Sequence, residues 1–187
     1  MTATADNAGA GPAPSEDAAL ALGRRFYAAF SRKDGDAMAA CYGPASTFCD
    51  PAFAELANGD PGRMWQMLCS QATDLAVVLD RIELAGAPAN LQSPGLASVQ
   101  AQWTATYTFS VTGRRVVNVV TSHLQIDRAS GLIVRQDDTF DFWKWSRQAL
   151  GLPGILLGWT GFLQGKVQKM ARGNLKKWAK AQAGAGS

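Results

Sequence analysis

Eight residues near the middle of the chain alternate strictly between apolar and hydroxyl-bearing side chains. In the stretch from Trp103 to Ser110, WTATYTFS, every second side chain is aromatic or alanine. Successive side chains of a β-strand point to opposite faces of a sheet, so this pattern predicts a strand with one buried and one exposed face. Turn sequences at Thr112-Gly113 and Ser130-Gly131 follow, and they bracket two further strand-like segments, 116–127 and 132–143. The sequence therefore predicts three consecutive strands joined by short turns.

Helical spacing dominates the first part of the chain instead. Apolar residues recur every three or four positions in 15–31, and shorter helical patterns follow in 34–43 and from Asp60-Pro61 onward. A brief strand is expected in 46–50 and a longer one in 75–84. Helices followed by a run of strands predict an α+β domain.

Composition limits the class of protein. A chain of 187 residues with 47% apolar and 18% charged residues fits one globular domain. The three cysteines cannot all pair, and none lies in a spacing typical of zinc or of a redox pair, so we expect a reduced, cytoplasmic protein without metal or cofactor.

The chain divides into four segments. We predict a flexible leader over 1–14, the main domain over 15–143, an apolar and basic helical extension over 144–181 and a flexible tail over 182–187.

The extension is strongly basic, because no acid follows Asp141. Residues 163–180 predict a basic amphipathic helix. This helix either packs on its own domain or on a dimer partner, or attaches the protein peripherally to an anionic inner-membrane surface through 150–180. No reader motif accompanies the charge, so we do not expect nucleic acid as a partner.

Three short motifs resemble those of the nuclear transport factor 2-like superfamily, and the chain is identified as a SnoaL-like member over about residues 18–142. They are Phe26-Tyr27-Ala28-Ala29-Phe30 up to Asp34, Phe48-Cys49-Asp50-Pro51, and Gly113-Arg114-Arg115 up to His123-Leu124. The resemblance implies a cone-like, strongly curved antiparallel sheet capped by N-terminal helices, which here carries a C-terminal helical extension. It also implies a homodimer.

Relatives in this superfamily imply an acid–base site. Ketosteroid isomerases use an aspartate base beside a tyrosine and a protonated aspartate. Asp50 matches the base, but Phe26 stands where the tyrosine is expected and Ser122 where the second aspartate is expected. SnoaL-like cyclases place an acid–base aspartate on a late strand, which resembles Asp138. Similar carboxylate pairs serve epoxide hydrolysis, although the arginine expected between them is not identifiable here.

Strand periodicity selects the side chains that face the concave side of the sheet. Those expected to line an apolar ligand pocket are Phe26, Trp65, Trp103, Tyr107, Phe109, Asn118, Val120, Ser122, Leu124, Gln136 and Phe140. His123 is expected on the outer face. A shift of one residue would turn Asp138 outward and Asp137 inward. Asp50 could equally be a turn residue at a strand end, and the aromatic residues could be ordinary core.

Three functions remain open from the sequence. The first is a cofactor-independent isomerase, cyclase or hydrolase that acts on a small hydrophobic molecule with Asp50 and Asp138. The second is a binding module that uses the same pocket without chemistry. The third is a scaffold that docks to a membrane or a partner through its C-terminal helix.

Overall fold

The computed structural model describes residues 17–86 and 95–185. The predicted leader, the final two residues of the predicted tail and most of the loop between the strands that end at Ala85 and begin at Leu96 lie outside the described residues.

Twelve helices and strands make up the described residues. The first part of the chain contains α1 (Ala18–Ser31), α2 (Gly35–Ala39), β1 (Tyr42–Asp50), β2 (Ala54–Leu56) and α3 (Asp60–Gln71). The remaining strands are β3 (Ala76–Ala85), β4 (Leu96–Phe109), β5 (Arg114–Asp127) and β6 (Leu132–Thr139). The extension forms α4 (Phe142–Leu150), α5 (Leu152–Leu157) and α6 (Gly161–Ala185).

The strands form one curved, unclosed six-stranded sheet in the order β2-β1-β6-β5-β4-β3. The predicted α+β class is confirmed, and β3, β4, β5 and β6 form the expected antiparallel neighbours. The sheet is mixed, however, because β1 runs parallel to β6. A parallel pair needs a long connection, and here α3 and four strands separate β1 from β6 along the chain.

One strand shifts its side-chain alternation. The register between β5 and β6 skips from Gln125 opposite Arg135 to Ile126 opposite Ile133, which leaves Val134 as an extra residue. Such a bulge reverses the faces on either side of it. Unbroken alternation with Gln136 and Asp138 predicts that Leu132 and Val134 face inward, but the bulge buries Ile133 in their place. Gln136 and Asp138 keep their predicted inward orientation.

The helices α1 and α3 pack on the concave face through aromatic side chains. The Phe26 ring of α1 lies 5.6 Å from the Trp65 ring of α3, and the Phe30 ring lies 5.2 Å from Trp103 of β4. Gly35 lets α2 approach α3, because a Cβ atom there would lie 2.6 Å from the Gln66 Cα. This packing forms a dense aromatic core under the helices.

The predicted last strand ends earlier than expected. It was expected to reach Trp143, but β6 stops at Thr139 because Asp141 caps α4, its Oδ1 accepting a hydrogen bond from the Lys144 N–H at 2.8 Å. The helix predicted over 163–180 is confirmed within the longer α6, and it packs on its own domain. Val167 and Leu175 of α6 are buried, whereas its cations are exposed.

Candidate active site

A cluster of polar side chains is buried at the centre of the concave face. Ser122 of β5 lies directly opposite Asp138 of β6, and Gln136 lies two residues earlier on the same face of β6. The Gln136 Nε2 donates a hydrogen bond to the Asp138 Oδ1 at 2.9 Å. Asp138 is only 4% exposed, and Ser122 and Gln136 are fully buried. The predicted inward orientation of Asp138 is confirmed, whereas Asp137 faces outward and binds Arg135 at 2.6 Å.

Aromatic donors hold this cluster in place. The Trp65 indole N–H donates to the Tyr42 hydroxyl at 2.8 Å, and that hydroxyl donates to the Gln136 Oε1 at 2.5 Å. On the other side, the Trp103 indole N–H donates to the Ser122 Oγ at 2.8 Å. Because each amide or hydroxyl is fixed by the next, the orientation of the Asp138 carboxyl is fixed as well.

Burial changes the chemistry of the Asp138 carboxyl. Loss of water contact raises its pKa from 3.8 to about 7, against the opposing effect of hydrogen bonds from Ser122 and Gln136. The negative charges of Asp50 and Asp137 raise the pKa further. Near neutral pH this group exists in both protonation states, so it can donate or accept a proton.

A third hydroxyl in the cluster, that of Tyr27, has no hydrogen-bond partner among the described residues. The Tyr27 side chain is 2% exposed, and its Oη lies beside Ser122 and Trp103 without a hydrogen bond of normal geometry. Burial and the Asp138 charge hold the pKa of Tyr27 well above 10.0, so it remains a donor. Unsatisfied buried hydroxyls are uncommon in native proteins and are often found at functional sites.

The sequence reasoning missed both tyrosines of this cluster. Tyr27 follows Phe26 by about 100° around α1, which argues against its replacing the tyrosine of the related enzymes, but α1 buries both Phe26 and Tyr27. The spacing from Leu22 and Gly23 through Phe26 and Tyr27 to Phe30 carried this signal. No sequence signal pointed to Tyr42, because β1 was predicted to begin four residues after it.

Asp50 lies at the end of β1, beside the Asp138 cluster. Cys49 pairs with Asp137 in the parallel β1–β6 ladder, so Asp50 is the neighbour of Asp138 on the adjoining strand. The Asp50 Oδ1 accepts hydrogen bonds from the N–H groups of Ala52 at 2.8 Å and Phe53 at 2.5 Å. These bonds match the turn role expected of an Asp-Pro sequence.

The turn role does not leave Asp50 an ordinary carboxylate. Burial raises its pKa from 3.8 to about 6, although the two N–H groups oppose this shift. The parallel register thus places on neighbouring strands two carboxyl groups whose pKa values both lie near neutral, and that they act as a pair stays a prediction.

Helix α4 covers the end of the concave face where Asp50 lies. The Trp145 indole N–H donates to the Tyr107 hydroxyl at 2.9 Å. Burial raises the pKa of that hydroxyl, and so does the Asp50 charge. The Trp145 ring also packs against the rings of Phe109 and Phe140, and Ala52 packs against the buried cluster that contains Trp145. Three predicted pocket residues, Tyr107, Phe109 and Phe140, therefore meet at a site closed by the extension. Trp145 itself was missed because it lies in the segment 144–181, which was assigned to the C-terminal extension and not to the site.

The remaining predicted pocket residues fill the concave face as packed core. Phe26, Trp65, Trp103, Val120 and Leu124 are each at most 6% exposed. Asn118 is half-buried on the same face of β5 and pairs with Ala105. Two surface depressions lie elsewhere, one between α2, α3 and α6 and one between the β4–β5 turn and α4. An open apolar pocket on the concave face stays a prediction.

Metal ligands do not gather in the described part of the chain. Across residues 17–86 and 95–185, no group of three or more His, Cys, Asp or Glu side chains is placed to hold a metal ion. His123 is exposed on the outer sheet face, as predicted. Cys41, Cys49 and Cys69 are free thiols, and burial raises the pKa of each.

Solved structures share this fold over most of the chain. A polyketide cyclase-like protein from Xanthomonas campestris is 15% identical, with a TM-score of 0.53 over 70% of this chain and 96% of its own. A ketosteroid isomerase-like protein from Erwinia carotovora is 19% identical, with a TM-score of 0.52 over 67% and 97%. An epoxide hydrolase of M. tuberculosis is 17% identical, with a TM-score of 0.52 over 75% and 96%. No curated protein sequence matches the chain.

The curved sheet with helices on its concave face defines a protein of the nuclear transport factor 2-like class. The sequence profile of the SnoaL-like domain matches residues 23–136, which is more than half of the chain. The chain belongs to the SnoaL-like domain family.

Proposed function

We propose that the protein is a cofactor-independent enzyme that acts by acid–base catalysis on a small hydrophobic substrate, as an isomerase, a cyclase or, with water as the second reactant, a hydrolase. The observation that carries this proposal is the carboxyl pair on the neighbouring strands β1 and β6. Burial raises the pKa of Asp50 to about 6 and that of Asp138 to about 7. Two acid–base groups with these values suit proton transfer at neutral pH.

The two carboxyl groups take different roles because their surroundings differ. Asp50 has the lower pKa and is half-buried at the end of β1, so it is the base that removes a proton from the substrate. Asp138 has the higher pKa and lies deeper, so its protonated form donates to the substrate oxygen. The unpartnered Tyr27 hydroxyl adds a second donor for a developing negative charge. Because the two carboxyl groups interact, the two pKa values describe the titration of the pair and not of either residue alone.

The similar structures support the reaction class. Their descriptions name a polyketide cyclase, a ketosteroid isomerase-like protein and an epoxide hydrolase, and acid–base catalysis by carboxyl groups suits each of these reactions. At 15–19% identity the likeness concerns the fold, so the choice among the three reactions rests on experiment.

Entry of a substrate requires α4 to move. Trp145 lies over the Asp50 end of the site and is held by the Tyr107 hydroxyl. Displacing this indole opens a path to Asp50 without disturbing the hydrogen bonds around Asp138. Helices or loops that cover a site often control substrate entry in this way.

The experiment compares Asp50→Asn and Asp138→Asn with the wild-type protein on two probes. A β,γ-unsaturated ketosteroid is followed by the absorbance of its conjugated product, and styrene oxide by chromatography of its diol. Turnover of either probe should fall by at least about a hundredfold in each variant. Asp137→Asn, on the outer face of β6, is the matched control and should retain activity. Undiminished turnover in the Asp50→Asn variant would show that Asp50 is not the base.

A second function is favoured by the close packing of the concave face. If the aromatic core never opens, the domain is a non-catalytic scaffold and Asp50 serves only the β1–β2 turn. Mass spectrometry of the native protein distinguishes the two, since a copurifying apolar molecule shows that the interior opens. An unchanged bound molecule together with no turnover of any probe supports a binding module instead.

A further inference from the structure

A row of large apolar side chains projects from the extension. We call the exposed large apolar residues of α5, of the short link after it and of the start of α6 the apolar ridge. They are Leu152 (72% exposed), Ile155 (48%), Leu156 (67%), Leu157 (43%), Trp159 (74%) and Phe162 (64%). Single exposed apolar residues are common, but a contiguous set of this size marks an interaction surface.

The ridge is held outward by tight packing between α4 and α5. A Cβ atom on Gly154 would lie 1.9 Å from the Ser146 carbonyl oxygen, so the two backbones are in direct contact there. The Ser146 Oγ also donates to the Gly154 carbonyl oxygen at 3.3 Å. One side of α5 is fully occupied by α4, and the remaining side chains of α5 have no place in the core.

Cations surround the ridge. Arg114, Arg115, Lys144 and Arg147 line a shallow surface depression of about 880 Å³, and Ile155 of the ridge forms part of its wall. The Lys166 Nζ lies 4.5 Å from the centre of the Phe162 ring. No acidic residue follows Asp141 in the sequence. The apolar ridge is therefore bordered by positive charge.

We propose that this surface binds an anionic lipid bilayer. The apolar ridge enters the boundary between headgroups and acyl chains, while the cations of the depression contact lipid phosphates. Tryptophan and phenylalanine flanked by lysine and arginine are typical of helices that lie in a membrane interface. Among the helices described over 17–86 and 95–185, none is long and apolar enough to span a membrane, so the proposed contact is peripheral.

Charge favours lipid over a second copy of the chain. A symmetric contact through the ridge would place the same cations of both copies against one another, and like charges at close range are destabilising. The ridge also projects outward, which suits insertion into a fluid layer. An anionic bilayer both neutralises the cations and accepts the apolar side chains.

The test is cosedimentation of the full-length protein with sucrose-loaded vesicles. The vesicles contain either phosphatidylcholine alone or an equimolar mixture with phosphatidylglycerol. The wild-type protein should sediment with the mixed vesicles and not with the neutral ones. Two double variants, Trp159→Ser with Phe162→Ser and Lys144→Gln with Arg147→Gln, should each reduce the bound fraction at least about tenfold.

Matched controls separate the proposed surface from general effects. Val78→Ser removes an exposed apolar residue from the sheet, and Lys33→Gln removes an exposed cation near α2; both should sediment like the wild type. Circular dichroism checks that every variant is folded.

Either of two results would overturn the proposal. One is a folded wild-type protein that never sediments with the mixed vesicles. The other is undiminished binding by the two double variants. If analytical ultracentrifugation shows a dimer that dissociates in the Trp159→Ser, Phe162→Ser variant while no vesicles are bound, the ridge is an interface between copies.

Discussion

Replacing Asp138 by asparagine should stabilise the protein at neutral and higher pH. In the folded protein the Asp138 pKa is raised to about 7, whereas in the unfolded chain it returns to its ordinary value of 3.8. Between these two values the unfolded chain binds fewer protons than the folded protein. The free energy of unfolding therefore falls as the pH rises through this window, and the loss is complete above about pH 7.

The size of the effect follows from the two pKa values. A rise in the Asp138 pKa from 3.8 to about 7 means that ionising the buried carboxyl lowers the free energy of unfolding by about 4 kcal/mol. Asparagine carries no charge at any of these pH values and so avoids this cost. Its carbonyl can accept from the Gln136 Nε2, as the Asp138 carboxyl does. We expect a gain of about 2–4 kcal/mol near pH 8 and little difference near pH 4.

The assay is urea denaturation of both proteins, followed by tryptophan fluorescence, between about pH 4 and about pH 8. The difference in the free energy of unfolding should widen as the pH rises. Asp50 adds a pH dependence of the same sign, because its pKa is raised too, so part of the slope persists in the variant. Asp137→Asn removes a charge from the outer face of the same strand without contacting the cluster. Because that charge makes the smallest of the contributions that raise the Asp138 pKa, this variant should keep most of the wild-type slope.

Two outcomes contradict this reasoning. If the variant is less stable than the wild type throughout the range, the carboxyl makes interactions that an amide cannot replace. If the difference does not depend on pH, Asp138 is not the buried titrating group. Either result would also weaken its proposed role as an acid.

Three other predictions test parts of the structure. Gly154→Ala should destabilise by more than about 2 kcal/mol because its Cβ would overlap the α4 backbone, whereas Gly165→Ala, with open space around it, should be neutral or stabilising in thermal unfolding. Tyr107→Phe should cost about 1 kcal/mol in urea denaturation through the lost bond from Trp145, and full wild-type stability would contradict that bond. Val119→Lys, on the exposed outer sheet face, should dissociate the predicted homodimer in analytical ultracentrifugation, and a dimer that persists would place the interface elsewhere.

The fold was predictable where one regular spacing of apolar residues extends over a whole helix or strand. The strict alternation around Trp103 and the two turns that follow specified three neighbouring strands, and the structure confirms them. Helix α1 was predictable from its apolar spacing. Pairing between distant segments leaves no local pattern, so the parallel contact of β1 with β6 could not be derived from periodicity.

The candidate site was predictable in part for the same reason. The inward orientation of Asp138 and Gln136 was predictable from the alternation of side chains along the strand. The place of Asp50 in the site was predicted from the resemblance to the superfamily. Tyr42 and Trp145 enter the site through tertiary contacts, since each reaches it from an element whose bounds the sequence did not specify. Local propensity does not encode such contacts.

Helix α4 connects the two proposed surfaces of the protein. Trp143 and Trp145 are two residues apart and therefore lie about 200° apart around the helix. Trp145 is buried over the Asp50 end of the site, while Trp143, 43% exposed, lines the cationic depression with Arg147. A membrane bound through that depression would be separated from the Trp145 side of α4 by about one helix diameter, roughly 10 Å. An apolar substrate dissolved in the bilayer could then reach the buried carboxyl pair by displacing one helix, without passing through bulk water.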